Sequence, residues 1–441
     1  MLRARFLFFP SPQSNEILLS HHPRLCFACA LSTVKRQGKG ERNVIRVEML
    51  STGDEVLHGQ IVDTNAAWLA DVLFQHGLPM TSRSTVGDAM TSLVDALQSR
   101  SQIADVLIVN GGLGPTSDDL SALAAATASG TELVIQQAWL EKMEAWFASR
   151  GRVMAPSNRK QAEIPANAEM IDNPVGTACG FAMQLNRCWI FFTPGVPSEF
   201  KVMVEQEIIP RLKARFELPE PPLCLRLTTF GRGESDIAAE LEPLPLPEGV
   251  VMGYRSSMPI IEIKLTGPAS QRVAMEPVWQ QVKLLLAECT IFEGTEGLPA
   301  LLARELQDRG FGLALTEQFT AGLLHWQLAS ANVPLSQSEI LPPQDEDLET
   351  QVVRTRDYAA QQDTALALSV GNLVEGEVSI ALHTPEASWG QRVKFTHGRH
   401  NVETRQKVVA MMAMNMLRRW LHGSEVSTGH GWIDVLEAVK R

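Results

Sequence analysis

The 441-residue sequence lacks any apolar run of the roughly 18–20 residues that a membrane-spanning helix requires, so no membrane partner is expected. It is poor in positive charge. Lys and Arg number 39 against 50 Asp and Glu, for a net of −11, which argues against the whole chain binding nucleic acid. Cysteine is sparse. Cys26, Cys29, Cys179, Cys188, Cys224 and Cys289 show no disulfide-framework spacing, and a reducing cytoplasm fits best. What remains is ordinary globular composition, 45% hydrophobic and 20% charged, in a chain long enough for two or three domains.

Residues 1–43 stand apart. They hold seven Lys and Arg against two acidic residues, and no lasting period of 2 or 3.6. The apolar stretch 6–9 stops at Pro10, and 25–31 is short, so a signal peptide fits poorly. Lys39-Gly40-Glu41 matches a translated purine-rich ribosome-binding site. The expectation is a start near Val44, with residues 1–43 a non-native or disordered leader. Cys26 and Cys29 have CxxC spacing, but they fall inside that leader and are expected to carry no redox or zinc chemistry.

From Val47 the pattern becomes regular. Residues 47–50 read as a short strand, and 65–76 as an amphipathic helix with Trp68, Leu69, Val72 and Leu73 on one face and Gly77 as its stop. A strand at 80–86 and a helix at 90–100 follow. The run Asp105 to Asn110, DVLIVN, is continuously apolar up to its last residue, as a strand buried on both faces of a parallel sheet would be. A glycine loop and a helix over about 119–129 come next. This alternation predicts a doubly wound α/β domain, whose ligands bind beyond the carboxyl ends of the strands. A helix at 138–150, a turn-rich loop at 173–181, a strand at 188–193 and a helix at 199–215 complete it. After a proline-rich linker at 219–222, a small α+β unit is expected over 223–293. An α/β region follows over 296–422, then a tail over 423–441.

The loop GGLGPTSDD, residues 111–119, has a specific physical logic. Gly111, Gly112 and Gly114 let backbone N–H groups approach a phosphate closely. Thr116 and Ser117 add hydroxyls. Asp118 and Asp119 lie where a carboxylate either caps the next helix or holds a divalent cation against phosphate oxygens. Gly53, Asp54 and Glu55 end the first strand with two more carboxylates, and Asp63 and Asn65 precede the next helix, where Asn65 could serve as the cap. Asn173, Gly176 and Thr177 lie in a second loop, and Pro194 to Glu199 in a third. Arg159 and Lys160 are candidate counter-charges for phosphate, although solvation explains either alone.

Four stretches, GDEVLHGQIVDTN, DVLIVNGGLGPTSDD, NPVGTACGF and PGVPSEF, occur in the order that resembles the competence/damage-inducible protein A (CinA) family. The motifs cover roughly residues 44–215, within a first domain expected over 44–218. It implies a molybdopterin-binding-like first domain associated with divalent-metal-dependent ADP-ribose pyrophosphatase activity. On that reading Gly53, Gly111, Gly112, Gly114, Thr116, Ser117, Lys160, Asn173, Gly176 and Thr177 bind phosphate or substrate. Asp118, Asp119 and Glu55 are the catalytic candidates, and Asp118, Asp119 and Asp54 hold the metal, which could be Mg, Mn or Co. The α+β unit, with Gly231 and Ser235 in GRGES, resembles the family's KH-like middle domain. It shows no basic Gly-x-x-Gly clamp and is read as structural.

The third region resembles the family's nicotinamide-mononucleotide deamidase domain but departs from it where chemistry resides. The family's Glu-Ser-Cys-Thr-Gly-Gly, with serine as nucleophile, is replaced by Glu317-Gln318-Phe319-Thr320-Ala321-Gly322. Gln318 stands at the nucleophile position, and an amide cannot attack a carbonyl. The tyrosine and lysine expected nearby are missing from 329–353, and no base pairs with Thr320. The deamidase is therefore expected to be inactive and the domain to serve as a scaffold or dimerisation element. The expected whole is a cytoplasmic homo-oligomer whose partner is a small nucleotide or pterin. It either hydrolyses a nucleotide pyrophosphate or binds its ligand without turnover.

Overall fold

The protein is described by a computed structural model over residues 45–395, 400–431 and 433–441, and residues 45–441 form one compact unit. The expected leader, with Cys26 and Cys29, lies outside the described residues. Its first sheet contains β1 (Val47–Thr52), β2 (Met80–Val86) and β3 (Val106–Asn110). A small hairpin of β4 (Leu133–Ile135) and β5 (Glu163–Pro165) stands aside. The sheet resumes with β6 (Glu169–Ile171), β7 (Gly180–Leu185) and β8 (Cys188–Thr193), in the order β2-β1-β3-β8-β7-β6. The first four strands in that order are parallel, and β7 and β6 add antiparallel edges.

The buried run at β3 works as its composition demands. Leu107 and Val109 enter one core with Leu93, Leu97, Trp139 and Phe192, while Val106 and Ile108 enter the other with Leu69, Leu73 and Phe200. Helices Met90–Ile103 and Gln137–Ala148 cover the first face, and Thr64–Gln75 and Pro197–Met203 the second, which makes the sheet doubly wound. The helix expected from 119 begins only at Ser121 and runs to Ser129. The helix expected over 199–215 is interrupted by a π-turn at Val204–Ile208, just before Pro210, which has no N–H to donate.

The middle unit is an antiparallel sheet of β9 (Pro222–Phe230), β10 (Val251–Ser257), β11 (Ile260–Pro268) and β12 (Thr290–Glu293). β11 alternates half-buried and buried residues, and its inward Ile263 and Leu265 pack with Ile237, Met275 and Trp279 of the covering helices. Arg232 of its glycine turn is paired with Glu240 at 2.8 Å, and His430 covers Gly231.

The third sheet runs β14 (Leu335–Ile340), β13 (Leu313–Glu317), β15 (Leu366–Val370), β16 (Glu377–His383), β17 (Ser388–Phe395) and β18 (Ile433–Lys440). Residues 423–441, read as a tail, thus supply an edge strand paired antiparallel to β17. Helix Leu348–Gln361, absent from the sequence reading, covers β16 and β17. Among the described residues no helix is long and apolar enough to cross a membrane. Cys179, Cys188, Cys224 and Cys289 are all free thiols.

Candidate functional site

The carboxyl ends of β1, β3 and β8 open into a cleft of about 490 Å³. Three loops wall it: the segment after β1, the glycine loop after β3 and the Pro194 to Glu199 turn after β8. Its floor is a buried amide network. Asn110, the last residue of β3, donates from Nδ2 to Pro194 O at 2.7 Å and Thr193 Oγ1 at 3.3 Å. Its Oδ1 accepts from Asn65 Nδ2 at 3.0 Å, and Asn65 Nδ2 also reaches Gly195 O at 2.9 Å. Asn65 is therefore not the helix cap. Asp63 takes that role, accepting from Ala66 N at 2.9 Å, and its other oxygen accepts from Ser51 Oγ at 2.6 Å.

The glycine loop divides its labour. Gly111 N–H is spent on Thr193 O at 2.9 Å, so this amide is not available to a phosphate. Gly111 has φ +113°, and a Cβ there would lie 2.6 Å from Thr52 Oγ1, so close packing against β1 requires glycine. Gly112, at φ +69°, sits against Ser121, whose Oγ donates to Gly111 O at 2.8 Å and closes the loop. Among the described residues, no protein acceptor meets the N–H of Gly112, Leu113 or Gly114. All three residues line the cleft.

Asp119 and Asp118 differ in their employment. Asp119 Oδ2 accepts from Thr116 N at 2.8 Å and from the Thr116 hydroxyl, so it caps a local turn rather than the helix that begins at Ser121. Asp118 is exposed at the cleft. The Thr116 hydroxyl, its own amide and the Lys160 ammonium hold its carboxyl below the usual range. Lys160 donates to Thr116 O at 2.6 Å and stiffens the loop from behind; it does not line the cleft. Thr116 and Ser117 do not line it either.

Glu55 faces the cleft, whereas Asp54 does not. Asp54 and Asp88 exchange backbone-to-carboxylate hydrogen bonds at 3.1 and 3.3 Å, which ties the end of β1 to the end of β2. Asp88 does line the cleft. Burial raises its pKa, and the charges of Asp54, Glu55 and Asp118 raise it further. These four carboxylates therefore share one electrostatic field. Asp88 was not singled out from sequence, although its place just past β2 obeys the same strand-end rule that pointed to Glu55.

The third loop is organised by Asn173, which is fully buried. Its Nδ2 donates to Ala178 O at 3.0 Å and Glu199 Oε2 at 2.7 Å, and its Oδ1 accepts from Gly176 N at 3.0 Å. A Cβ on Gly176 would lie 1.9 Å from Glu199 Oε2. Asn173 and Gly176 thus position Glu199, which lines the cleft, and do not line it themselves. Thr177 lines the cleft, held through its carbonyl by Trp139 Nε1 at 3.0 Å.

The resulting cleft is lined by Glu55, Asp63, Asp88, Asp118, Asp119 and Glu199, with no Lys, Arg or His among its described lining residues. No three Asp, Glu, His or Cys side chains among the described residues converge closely enough to hold a metal ion on their own.

Gln318, where the family resemblance puts a nucleophile, has a different setting in the third domain. Gln318 is buried, and its Oε1 accepts from Gln344 N at 2.9 Å. Glu317, also buried, accepts from Leu324 N at 3.1 Å and His325 N at 2.7 Å, so it caps helix Leu323–Ser330.

A model of the probable molybdopterin binding domain matches residues 48–214. The CinA-like protein of Escherichia coli strain 55989 is 62% identical over 396 residues, 90% of this chain and 99% of that protein. The Escherichia coli K12 protein named NMN amidohydrolase-like protein YfaY is likewise 62% identical over 90% of this chain and 99% of its own length. Among solved structures, the protein CinA from Thermoplasma acidophilum is 29% identical over 38% of this chain and 98% of that one, with a TM-score of 0.35.

Proposed function

The chain belongs to the CinA-like family, and on that footing we propose that its first domain binds a nucleotide pyrophosphate such as ADP-ribose and hydrolyses it with a divalent cation. The observation that carries this reading is a pairing within one cleft. Three backbone amides without protein acceptors among the described residues, at Gly112, Leu113 and Gly114, share the cleft with carboxylates, and no Lys or Arg is among its described lining residues. Amides of this kind suit phosphate oxygens. The carboxylates alone would repel the same phosphates, so a cation must enter with the ligand.

The donor set fits Mg or Mn. Both prefer carboxylate oxygen, and Mg keeps several waters while bridging one or two carboxylates to substrate phosphates. That mode needs no complete protein cage, in keeping with the absence of a three-ligand cluster among the described residues. One or two of Glu55, Asp88 and Asp118 would hold the ion, which when bound would supply charge neutralisation and an acidified water. Gly112 to Gly114 bind and orient the pyrophosphate, and Glu55 or Asp118 accepts the proton of the attacking water. Asp119, placed from sequence among the acids that act directly, supports the turn that presents Asp118. The third domain is assigned no deamidase activity, because Gln318 is both unreactive and tethered to Gln344.

The test is incubation of the full chain with ADP-ribose and Mg²⁺, Mn²⁺ or Co²⁺, with release of AMP as the readout. Release that chelation abolishes is expected. Binding intact with no AMP under any of the three ions would refute hydrolysis. It would favour the second reading, a nucleotide- or pterin-binding module without turnover, which the incomplete protein ligand set also suits.

A further inference from the structure

The first-domain cleft carries charge of one sign, and one surface segment of the same domain carries the other. Residues 145–162 include Arg150, Arg152, Arg159 and Lys160 and no Asp or Glu. Three of these cations have partners. Arg150 lies 3.8 Å over the Trp146 ring, Arg159 is 4.0 Å from Glu144, and Lys160 donates to Thr116 O. The exposed side chain of Arg152 meets no ion pair or hydrogen bond among the described residues.

The backbone beneath Arg152 is nevertheless fixed. Helix Gln137–Ala148 ends in a Schellman cap: Gly151, at φ +67°, donates to Ala148 O at 2.9 Å, and Arg152 N donates to Phe147 O at 3.0 Å. The side chain at Arg152's place in such a cap commonly packs back on the helix, whereas here a guanidinium stands out in solvent. Val153 follows at 96% exposure, the barest large apolar side chain among the described residues, and Met154 then returns to the core. A cation and an aliphatic group are thus presented together on a turn that is ordered in advance. Neither lines the cleft of its own chain.

The cleft is the counterpart of that turn. Six carboxylates line it, with no Lys, Arg or His among its described lining residues, and so do the exposed aliphatics Ile61, Val62 and Val196. Acid beside bare aliphatic surface in the cleft matches base beside bare aliphatic surface on the turn. We propose that two copies of the chain share their clefts. The partner's Val153 covers Ile61 and Val62, and the partner's Arg152 enters the cleft and binds a phosphate oxygen of the ligand. A guanidinium is always charged and matches phosphate geometry, so it supplies the side-chain cation that each cleft lacks. A two-fold axis completes both clefts at once and closes the assembly at a dimer. The inference rests on the pyrophosphate reading for the identity of the ligand, but not for the contact between copies.

Sedimentation velocity of the full chain reads the assembly, and calorimetry with ADP-ribose in Mg²⁺ reads the site. The parent should sediment as a dimer, and the double variant Arg152→Glu, Val153→Asp as a monomer. Both positions are exposed, so folding is not at stake. Arg152→Ala should weaken ADP-ribose by roughly 10–100-fold, the range of a lost charge-assisted hydrogen bond. Arg272→Ala, beside Val273 at 86% exposure, removes the same charge from a comparable surface and should change neither measurement. The decisive arm co-expresses Arg152→Ala and Asp118→Asn chains in equal amounts. Each alone should lack the tight site. Random pairing sets an intact Arg152 against an intact Asp118 in one cleft of every mixed dimer, so about one tight site per four chains should reappear. A monomeric parent overturns the inference, as does a dimer indifferent to the double variant or a co-expressed pair with no restored site. Absence of ADP-ribose binding from a parent dimer that the double variant still splits would sink the pyrophosphate reading and leave the shared cleft standing. Tight binding and AMP release by a monomer would do the reverse.

Discussion

Gly112 and Gly130 share the same backbone torsion, φ +69°, but not the same surroundings, and the pair isolates what the glycine loop needs. An added Cβ at Gly130 meets nothing within 4 Å. Gly130→Ala therefore costs only the left-handed strain of an L residue, about 1–2 kcal/mol, partly offset by a less flexible unfolded chain. At Gly112 the Cβ would stand 2.3 Å from Ser121 Oγ and 3.3 Å from Ser121 N. Ser121 Oγ holds Gly111 O at 2.8 Å, and Ser121 N donates to Gly112 O at 3.1 Å. Relieving the clash means swinging the hydroxyl away from a buried carbonyl, which adds about 1–3 kcal/mol. Gly112→Ala should thus destabilise the first domain by about 2–4 kcal/mol, against about 1 kcal/mol for Gly130→Ala. Urea unfolding of both variants measures the difference. Calorimetry with ADP-ribose measures whether the loop amides have moved: affinity should fall for Gly112→Ala and hold for Gly130→Ala. Equal stability losses in the two variants, or a Gly112→Ala protein that binds like the parent, would refute the assignment of Gly112 to both loop closure and the anion site.

Three further outcomes follow from features elsewhere. His430, half-buried against Phe230 and near Arg419, has its pKa lowered from 6.5 to about 4, first by burial and then by that charge. The folded chain then binds fewer protons than the unfolded one between those values. Its contribution is whole above about pH 6.5 and is lost as pH falls toward 4, amounting to about 2 kcal/mol by pH 5. Hydrogen exchange of β18 should show this acid-dependent opening in the parent and not in His430→Phe, and identical slopes would count against it. Arg100 grips the buried Glu48 through two hydrogen bonds of 2.6 Å, so Arg100→Leu should cost about 3 kcal/mol in urea unfolding by leaving that carboxylate unpaired. Gln318→Ser restores a hydroxyl without a base and removes the acceptor for Gln344 N, so ammonia release from nicotinamide mononucleotide should stay at background. A measurable rate would show that a base had been overlooked.

What could be read from the sequence tracks how each element is buried. β3 was legible because Leu107 and Val109 face one core and Val106 and Ile108 the other, so its apolar run has no polar interruption before Asn110. Helix Leu348–Gln361 was not, because polar residues interrupt its inward face: Gln351 and Thr355 are buried against Ser369 at 2.9 and 2.7 Å. β17 shows the complementary case. Gly390 leaves room for Val352 and Leu348 of that helix, where a Cβ would lie 2.5 and 2.9 Å away, so a strand-breaking residue marks a packing contact and not a turn. β18 sat beyond a stretch of glycines and serines that read as a tail, and only pairing with β17 gives its alternation a face to bury. The same division holds at the site. Glycines and acids in one loop announced a phosphate-handling segment, but sequence spacing could not tell Asp118, exposed at the cleft, from Asp119, which accepts from the Thr116 amide. Nor could it join Asn65 to Asn110 and Gly195, since a helix start, a strand end and a loop meet there only in space. Strand ends are the shared signal. Glu55, Asp88, Asn110 and the Pro194 turn all lie at or just past the carboxyl ends of parallel strands, and a rule applied to every such end, not only to the glycine-rich one, would have drawn the cleft with Asp88 and Asn110 included.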